Sequence, residues 1–151
     1  MTSPSVESAV AELRASLTGD TDTYNRLHGA QDADGRRAVT AVLTFAFTKA
    51  AQERFRGHSS PEDVIDFVAD ARSRIVGPDT APPEAAEKVI RAALGEEHLL
   101  EGTDLRVVAA ARTSMLFALT HENDNSPDQV ETLLSEAAEA AEAYFLRRAA
   151  R

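Results

Sequence analysis

The chain has 151 residues, a formal net charge of −9 at pH 7 and no cysteine. Its length suits one domain, and the lack of cysteine excludes disulfides, thiolate metal sites and cysteine nucleophiles. The negative charge disfavours nucleic-acid binding, because phosphate backbones repel an acidic surface.

The apolar stretches and the lysine and arginine content of the chain indicate where the protein is found. The most apolar stretch, about residues 38–51, is too short to span a bilayer and contains Lys49. No basic residue followed by an apolar run opens the chain, so we expect neither a secretory signal nor a membrane segment. Lysine occurs only at Lys49 and Lys88, and arginine is frequent, which favours a GC-rich bacterial genome. We therefore predict a bacterial cytoplasmic protein.

Helical periodicity runs through nearly every segment, and no run of alternating β-branched residues competes with it. The sequence predicts an all-α fold, a single domain over residues 1–151 that forms a compact bundle of six to seven helices without β-sheet. In chain order, the predicted helices cover residues 4–17, 35–56, 61–75, 82–94, 104–121 and 127–148, with a short helical turn near 22–28.

Three of these helices share the same start signal. Ser3-Pro4, Ser60-Pro61 and Ser126-Pro127 each place a capping serine before a proline at the first helical position. Gly19, Gly29 and Gly95 follow helical segments and suit their C-terminal ends. These residues fix the helix boundaries more firmly than the periodicity does.

The predicted helix over residues 35–56 is apolar on more than one side. Its main apolar face excludes Phe45 and Phe55, and the helix over 104–121 carries Phe117 in addition to its own apolar face. A monomer has few partner helices with which to cover so many aromatic rings. The sequence therefore predicts self-association as a homodimer.

Arg112 breaks the pattern of the helix over residues 104–121. At 100° per residue it falls in the middle of an apolar face made of Leu105, Val108, Ala109, Met115, Leu116 and Leu119. Burying a guanidinium without a partner is costly. Three interpretations follow: a buried ion pair with a carboxylate of a neighbouring helix, a contact at a subunit interface, or an anion contact in an internal cavity.

No residue can be assigned to catalysis, to a cofactor or to a metal. The four histidines lie at predicted helix ends or in loops, and none is preceded by glutamate three residues earlier, as a di-iron bundle requires. Zinc-protease, phosphate-loop and nucleophile-elbow motifs are also absent from the sequence. We expect no metal and no cofactor.

The helices near 61–75, 82–94, 104–121 and 127–148 resemble the second half of a globin in their lengths and breaks. The segment 82–94 would then hold the proximal haem ligand, and it contains no histidine. The resemblance therefore implies an alternative arrangement of helices without haem.

Three functional hypotheses remain from the sequence. The first is a non-catalytic interaction or regulatory protein, in one form an acidic binder of a basic protein partner, because the surface is acidic and catalytic signatures are missing. The second is a ligand-sensing or catalytic bundle with an internal cavity reached by Arg112. The third, a DNA-binding regulator, is disfavoured by the net charge.

Overall fold

The computed structural model describes residues 2–77, 80–122 and 126–150. These ranges contain seven α-helices, a short 3-10 helix over Glu97–Leu100 and no strand, so the predicted all-α fold is confirmed. The α-helices are α1 (Pro4–Thr18), α2 (Thr21–Gly29), α3 (Ala33–Arg54), α4 (Pro61–Arg74), α5 (Pro83–Ala93), α6 (Leu105–His121) and α7 (Pro127–Ala149).

The serine–proline starts cap three helices as predicted. Ser60 Oγ accepts from the Asp63 N–H at 3.1 Å, and the Asp63 carboxylate accepts from the Ser60 N–H at 3.2 Å. Ser126 and Gln129 form the same reciprocal capping box, and Ser3 caps α1. Each serine satisfies a backbone N–H that has no partner within the helix, which explains why these starts can be predicted locally.

The chain divides into two compact units. The first unit comprises Met1–Ala46 and Ser126–Arg151, and the second unit comprises Phe47–Asn125. The division falls inside α3, after Ala46. The sequence predicted a single domain over residues 1–151, and that assignment stays a prediction.

In the first unit, α1 and α7 run antiparallel. The Ser3 N–H at the start of α1 donates to Glu142 near the end of α7, and Arg14 forms a bidentate ion pair with Glu131 near the start of α7. Between these contacts α7 buries Leu134 and then a series of small residues, Ala137, Ala138 and Ala141. Alanines on a buried face allow two helices to approach closely.

In the second unit, Phe55 and Phe67 form the aromatic part of the core. Their rings pack edge to face with centroids 5.5 Å apart, and both side chains are buried. The sequence placed Phe55 away from the main apolar face, as one of three aromatic residues behind the dimer prediction. Because Phe55 is covered within its own chain, that prediction now rests on Phe45 and Phe117, which are half-buried, and it stays untested.

The buried face of α6 agrees with the predicted one at Val108, Met115, Leu116 and Leu119 and differs from it at the two remaining positions. Leu105 is 83% exposed and Ala109 is exposed, whereas Ala111 and Ala118 are buried. Because α6 is apolar over much of its circumference, its periodicity fits several faces equally well. Its packing against α4 and α5 selects the one that is buried.

Candidate ligand-binding cleft

The first unit contains an open cleft between α3 and α7 with a volume of about 730 Å³. Pockets for small molecules usually measure about 300–1,000 Å³, so this one has room for a metabolite-sized ligand. Its lining residues are Arg36, Arg37, Thr40, Ala41, Thr44 and Phe45 from α3, and Tyr144, Phe145 and Arg148 from α7.

The helical repeat brings these residues to one surface of each helix. In α3 the lining residues form two rows with a spacing of four, one beginning at Arg36 and one at Arg37. Residues four apart lie on the same face of a helix, one turn above another. Tyr144 and Arg148 are related in the same way in α7. The cleft is therefore built on two regular helices, which hold its side chains more rigidly than a loop would.

One end of the cleft, which we name the aromatic end, consists of Phe45, Tyr144 and Phe145. Tyr144 packs edge to face against both phenylalanines, with centroids 6.3 Å from Phe45 and 5.5 Å from Phe145. All three side chains are half-buried, so each still presents part of a ring to the cleft. The aromatic end can therefore cover the apolar part of a ligand.

We name the arginines that line the cleft, Arg36, Arg37 and Arg148, the cationic end: Arg36 and Arg37 lie toward the start of α3, and Arg148 lies in contact with Tyr144 of the aromatic end. Arg36 and Phe45 are about 13 Å apart along the axis of α3. Arg148 Nη1 donates to the Tyr144 hydroxyl at 2.9 Å, and its guanidinium lies over the tyrosine ring at 5.6 Å. The phenol oxygen acts as the acceptor in that bond, so the Tyr144 O–H stays available as a donor.

The positive charge of the cationic end is only partly balanced. Arg37 pairs with Asp34 one turn earlier in α3. Neither Arg36 nor Arg148 forms an ion pair with a carboxylate in the part of the chain that the structure describes. Two guanidinium groups without an ion pair give the cleft local positive charge in a protein of net charge −9.

The lining of the cleft offers little acid–base chemistry. Its polar side chains are arginines, threonines and one tyrosine, and no carboxylate, imidazole or thiol stands among its described lining residues. Proton transfer near neutral pH needs a group of suitable pKa, and covalent catalysis needs an activated nucleophile.

A second polar cluster in the first unit is centred on Glu12, which is buried in α1. Its carboxylate accepts from the Gln31 amide and lies 3.3 Å from His28 Nδ1. His28 stacks on Tyr24, and burial together with the negative charge of Glu12 raises the pKa of the Tyr24 hydroxyl. These contacts fasten α2, which has no buried residue, to α1, and we assign the cluster a structural role.

The predicted site residue Arg112 lies in α6, in the second unit, and does not line the cleft. Its side chain is half-buried, and burial lowers the pKa of its guanidinium from the ordinary value. Its pairing with a carboxylate stays a prediction. No α6 residue other than Arg112 was singled out from the sequence as a candidate site.

Arg112→Ala is expected to lower the free energy of unfolding by about 1–3 kcal/mol, because it leaves a void and an orphan polar partner. Arg112→Met leaves the same partner without its guanidinium but fills the void, so its loss is expected to be smaller by about 1 kcal/mol. Urea denaturation followed by circular dichroism measures both. Arg106→Met, at an exposed arginine of the same helix, is the control.

Equal losses for Arg112→Met and Arg112→Ala would contradict a purely structural ion pair. If Arg112 holds an anion instead, both variants leave stability nearly unchanged and remove the binding of that anion.

The four histidines do not converge. His28 and His121 lie in the last turns of α2 and α6, His98 lies in the 3-10 helix and His58 lies in the loop before α4. His121 stacks on Phe117 with centroids 3.8 Å apart. Within residues 2–77, 80–122 and 126–150, no group of three or more His, Cys, Asp or Glu side chains is placed to hold a metal ion.

Of the residues of the cleft, the sequence analysis singled out Phe45, and it assigned Phe45 to self-association rather than to ligand binding. Arginine, threonine and aromatic residues at a spacing of four were the available signal. In the described ranges, no helix combines the length and the apolarity needed to cross a membrane. Comparison with models of known families, with curated proteins and with solved structures finds no match to this chain.

Proposed function

We propose that this protein is a non-catalytic binding protein whose first unit takes up a small organic anion in the cleft between α3 and α7. The observation that carries the proposal is the pairing of two uncompensated arginines, Arg36 and Arg148, with an aromatic end inside one cleft. A guanidinium forms charge-assisted hydrogen bonds with oxyanions, and the aromatic rings shield the rest of the ligand from water. Regulation by such a ligand is the role that fits a chain without catalytic signatures.

Two features of the chain permit a direct binding assay. The protein has no tryptophan and two tyrosines, Tyr24 and Tyr144. The variant Tyr24→Phe therefore leaves Tyr144, which lines the cleft, as its tyrosine fluorophore. A panel of 4-phenylbutanoate, 2-amino-4-phenylbutanoate, phenyl phosphate and citrate can be titrated into this variant, and the amide shifts of the lining residues can be followed by NMR.

We expect at least one anion of the panel to change the Tyr144 emission and to shift amides of α3 and α7. Arg36→Gln and Arg148→Gln are each expected to weaken that binding about tenfold, because each removes a charge-assisted contact. Arg147→Gln, at an exposed arginine beside the cleft that does not line it, is the matched control. Absence of binding by every member of the panel would contradict the proposed function, as would equal affinity in Arg148→Gln and Arg147→Gln.

The hypothesis of a basic protein partner stays a second proposal. It rests on the net charge of −9, which attracts cationic surfaces over a range set by the ionic strength. The cleft does not serve this role, because its own charge is positive. A complex with a basic protein would weaken with added salt and would be insensitive to Arg148→Gln.

A further inference from the structure

We infer that the ligand of the cleft is an amphiphilic acid, with one oxyanion at the cationic end, an apolar body at the aromatic end and no amino group. This inference rests on the proposed function and narrows it from organic anions to one chemical class. It follows from which functional groups the cleft offers to a ligand, and from where they lie.

The cleft is rich in hydrogen-bond donors and poor in acceptors. Arginine is a donor without acceptor capacity, and Arg148 already occupies the Tyr144 oxygen, which leaves the phenol hydrogen as a donor. The hydroxyls of Thr40 and Thr44 donate to carbonyls of their own helix, at 3.0 Å and 2.7 Å, so toward a ligand their oxygens act as neutral acceptors. The described lining includes no carboxylate and no side-chain amide. A ligand that carries its own donors would therefore find two hydroxyl oxygens and no charged acceptor.

Charge excludes cationic groups from the same space. An ammonium group in the cleft would face three guanidinium groups, and Asp34, which pairs with Arg37, does not line the cleft. Like charges at close range repel, and water screens this repulsion here because all three arginines are exposed. Amino acids and amines are thereby disfavoured relative to simple acids of the same shape.

The apolar part of the cleft has a length that suits a short aryl or alkyl chain. Ala41 and Phe45 from α3 and Tyr144 and Phe145 from α7 line this part of the cleft, and the rings of Phe45 and Tyr144 are in contact. With about 13 Å between the turns of Arg36 and Phe45, an acid group and a ring can occupy both ends at once. Burial of the ring adds affinity that a small polar anion cannot gain.

The test compares molecules that differ by one group. Isothermal titration calorimetry on the full chain measures the affinities of 4-phenylbutanoate, of 2-amino-4-phenylbutanoate, which adds an ammonium, of 4-phenylbutanamide, which removes the charge, and of butanoate, which removes the ring. We expect 4-phenylbutanoate to bind about tenfold or more tightly than each of the other three, because each change leaves a charge, a donor or the aromatic end without its partner.

A specificity variant strengthens the comparison. Thr40→Asp introduces a carboxylate acceptor into the cleft, one turn from Arg36. This variant is expected to bind 4-phenylbutanoate more weakly. The ratio of its affinities for 4-phenylbutanoate and 2-amino-4-phenylbutanoate is expected to fall below about threefold. Thr40→Val, which keeps the shape without the charge, is expected to preserve the preference. An unchanged preference in Thr40→Asp would overturn the inference.

A free acid in solution and an anionic lipid headgroup both present an oxyanion beside an apolar body. A second experiment distinguishes between these two sources of the ligand. Co-sedimentation with phosphatidylcholine vesicles that contain phosphatidic acid is expected to show no binding, because the ligand must enter a cleft between helices. Binding to vesicles without binding of 4-phenylbutanoate would overturn the inference. Equal affinity for 4-phenylbutanoate and citrate, or for 4-phenylbutanoate and its amino analogue, would also overturn it while leaving the proposed function intact. Failure of every anion to bind would refute the proposed function itself.

Discussion

Phe55→Ala is expected to lower the free energy of unfolding by about 3–5 kcal/mol, because it removes a large buried ring and leaves a cavity. Phe55 is 1% exposed, and its ring packs edge to face on Phe67. The guanidinium of Arg54 also lies 5.0 Å and 5.2 Å from the two rings, so the substitution removes a cation–π contact as well. Urea denaturation followed by circular dichroism measures the loss as a shift of the midpoint.

Leu105→Ala provides the control, since Leu105 is 83% exposed at the start of α6. Its substitution is expected to change the stability by less than about 0.5 kcal/mol. A loss for Phe55→Ala that is no larger than the loss for Leu105→Ala would contradict the burial of Phe55. It would also restore the sequence-based expectation that this ring is available for self-association.

The helix boundaries were predictable because capping chemistry is local. A capping serine, joined at α4 and α7 by an acid or amide three residues on, satisfies the first backbone N–H groups without any tertiary contact, and the proline after it has no N–H to satisfy. The starts of α1, α4 and α7 accordingly fall where the sequence placed them, at Pro4, Pro61 and Pro127. The ends of the helices agree to within two residues for the same reason, because Gly19 and Gly95 stop helices by their backbone freedom.

The buried faces of two helices were predictable only in part. α3 and α6 carry apolar residues beyond one face, so a hydrophobic pattern cannot fix where the buried face ends. Most of the predicted face of each helix is buried, but Phe55, placed outside the main apolar face of α3, is also buried, and Leu105, placed on the apolar face of α6, is 83% exposed. Only the neighbours of these helices decide between such faces, and the sequence does not state the order of packing.

Polar residues inside the fold were also missed. Glu12 sits one turn from Ala9 in the sequence, and nothing in its local pattern distinguishes it from an exposed carboxylate. It is buried because α2 folds back over it with His28 and Gln31. A buried charge is tolerated where hydrogen-bond partners converge on it, and convergence is a property of the tertiary structure.

The cleft is the clearest example of a feature that only the tertiary structure creates. Its two halves are far apart in the sequence, with Phe45 on α3 and Tyr144 on α7, yet their rings are in contact. From the sequence alone Arg148 is one of several basic residues at the end of a helix, and Arg36 is one of a pair at the start of another. Only their approach to the same space makes them a candidate anion site, and it moves the residue-level hypothesis from Arg112 to the first unit.

Leu134→Ala is expected to lower the free energy of unfolding by about 2–5 kcal/mol. Leu134 is fully buried in α7, on the face that packs against α1. The antiparallel register of these helices is held at both ends, by Ser3 with Glu142 and by Arg14 with Glu131. The cost within this range depends on how far the surrounding side chains close the space that the lost side chain leaves. Urea denaturation followed by circular dichroism measures it.

The same variant links stability to the cleft, because a ligand that binds only the folded chain stabilises it by mass action. At a free concentration of 100 times its dissociation constant, 4-phenylbutanoate is expected to restore about 2.7 kcal/mol to Leu134→Ala. Butanoate at the same concentration is the control, and it is expected to restore far less because it cannot reach the aromatic end. The recovery is expected to disappear when Arg36→Gln and Arg148→Gln are added to Leu134→Ala, since the two arginines supply the anion contacts. A recovery that persists without them would place the ligand outside the cleft, since general solvent effects on folding do not depend on these two side chains.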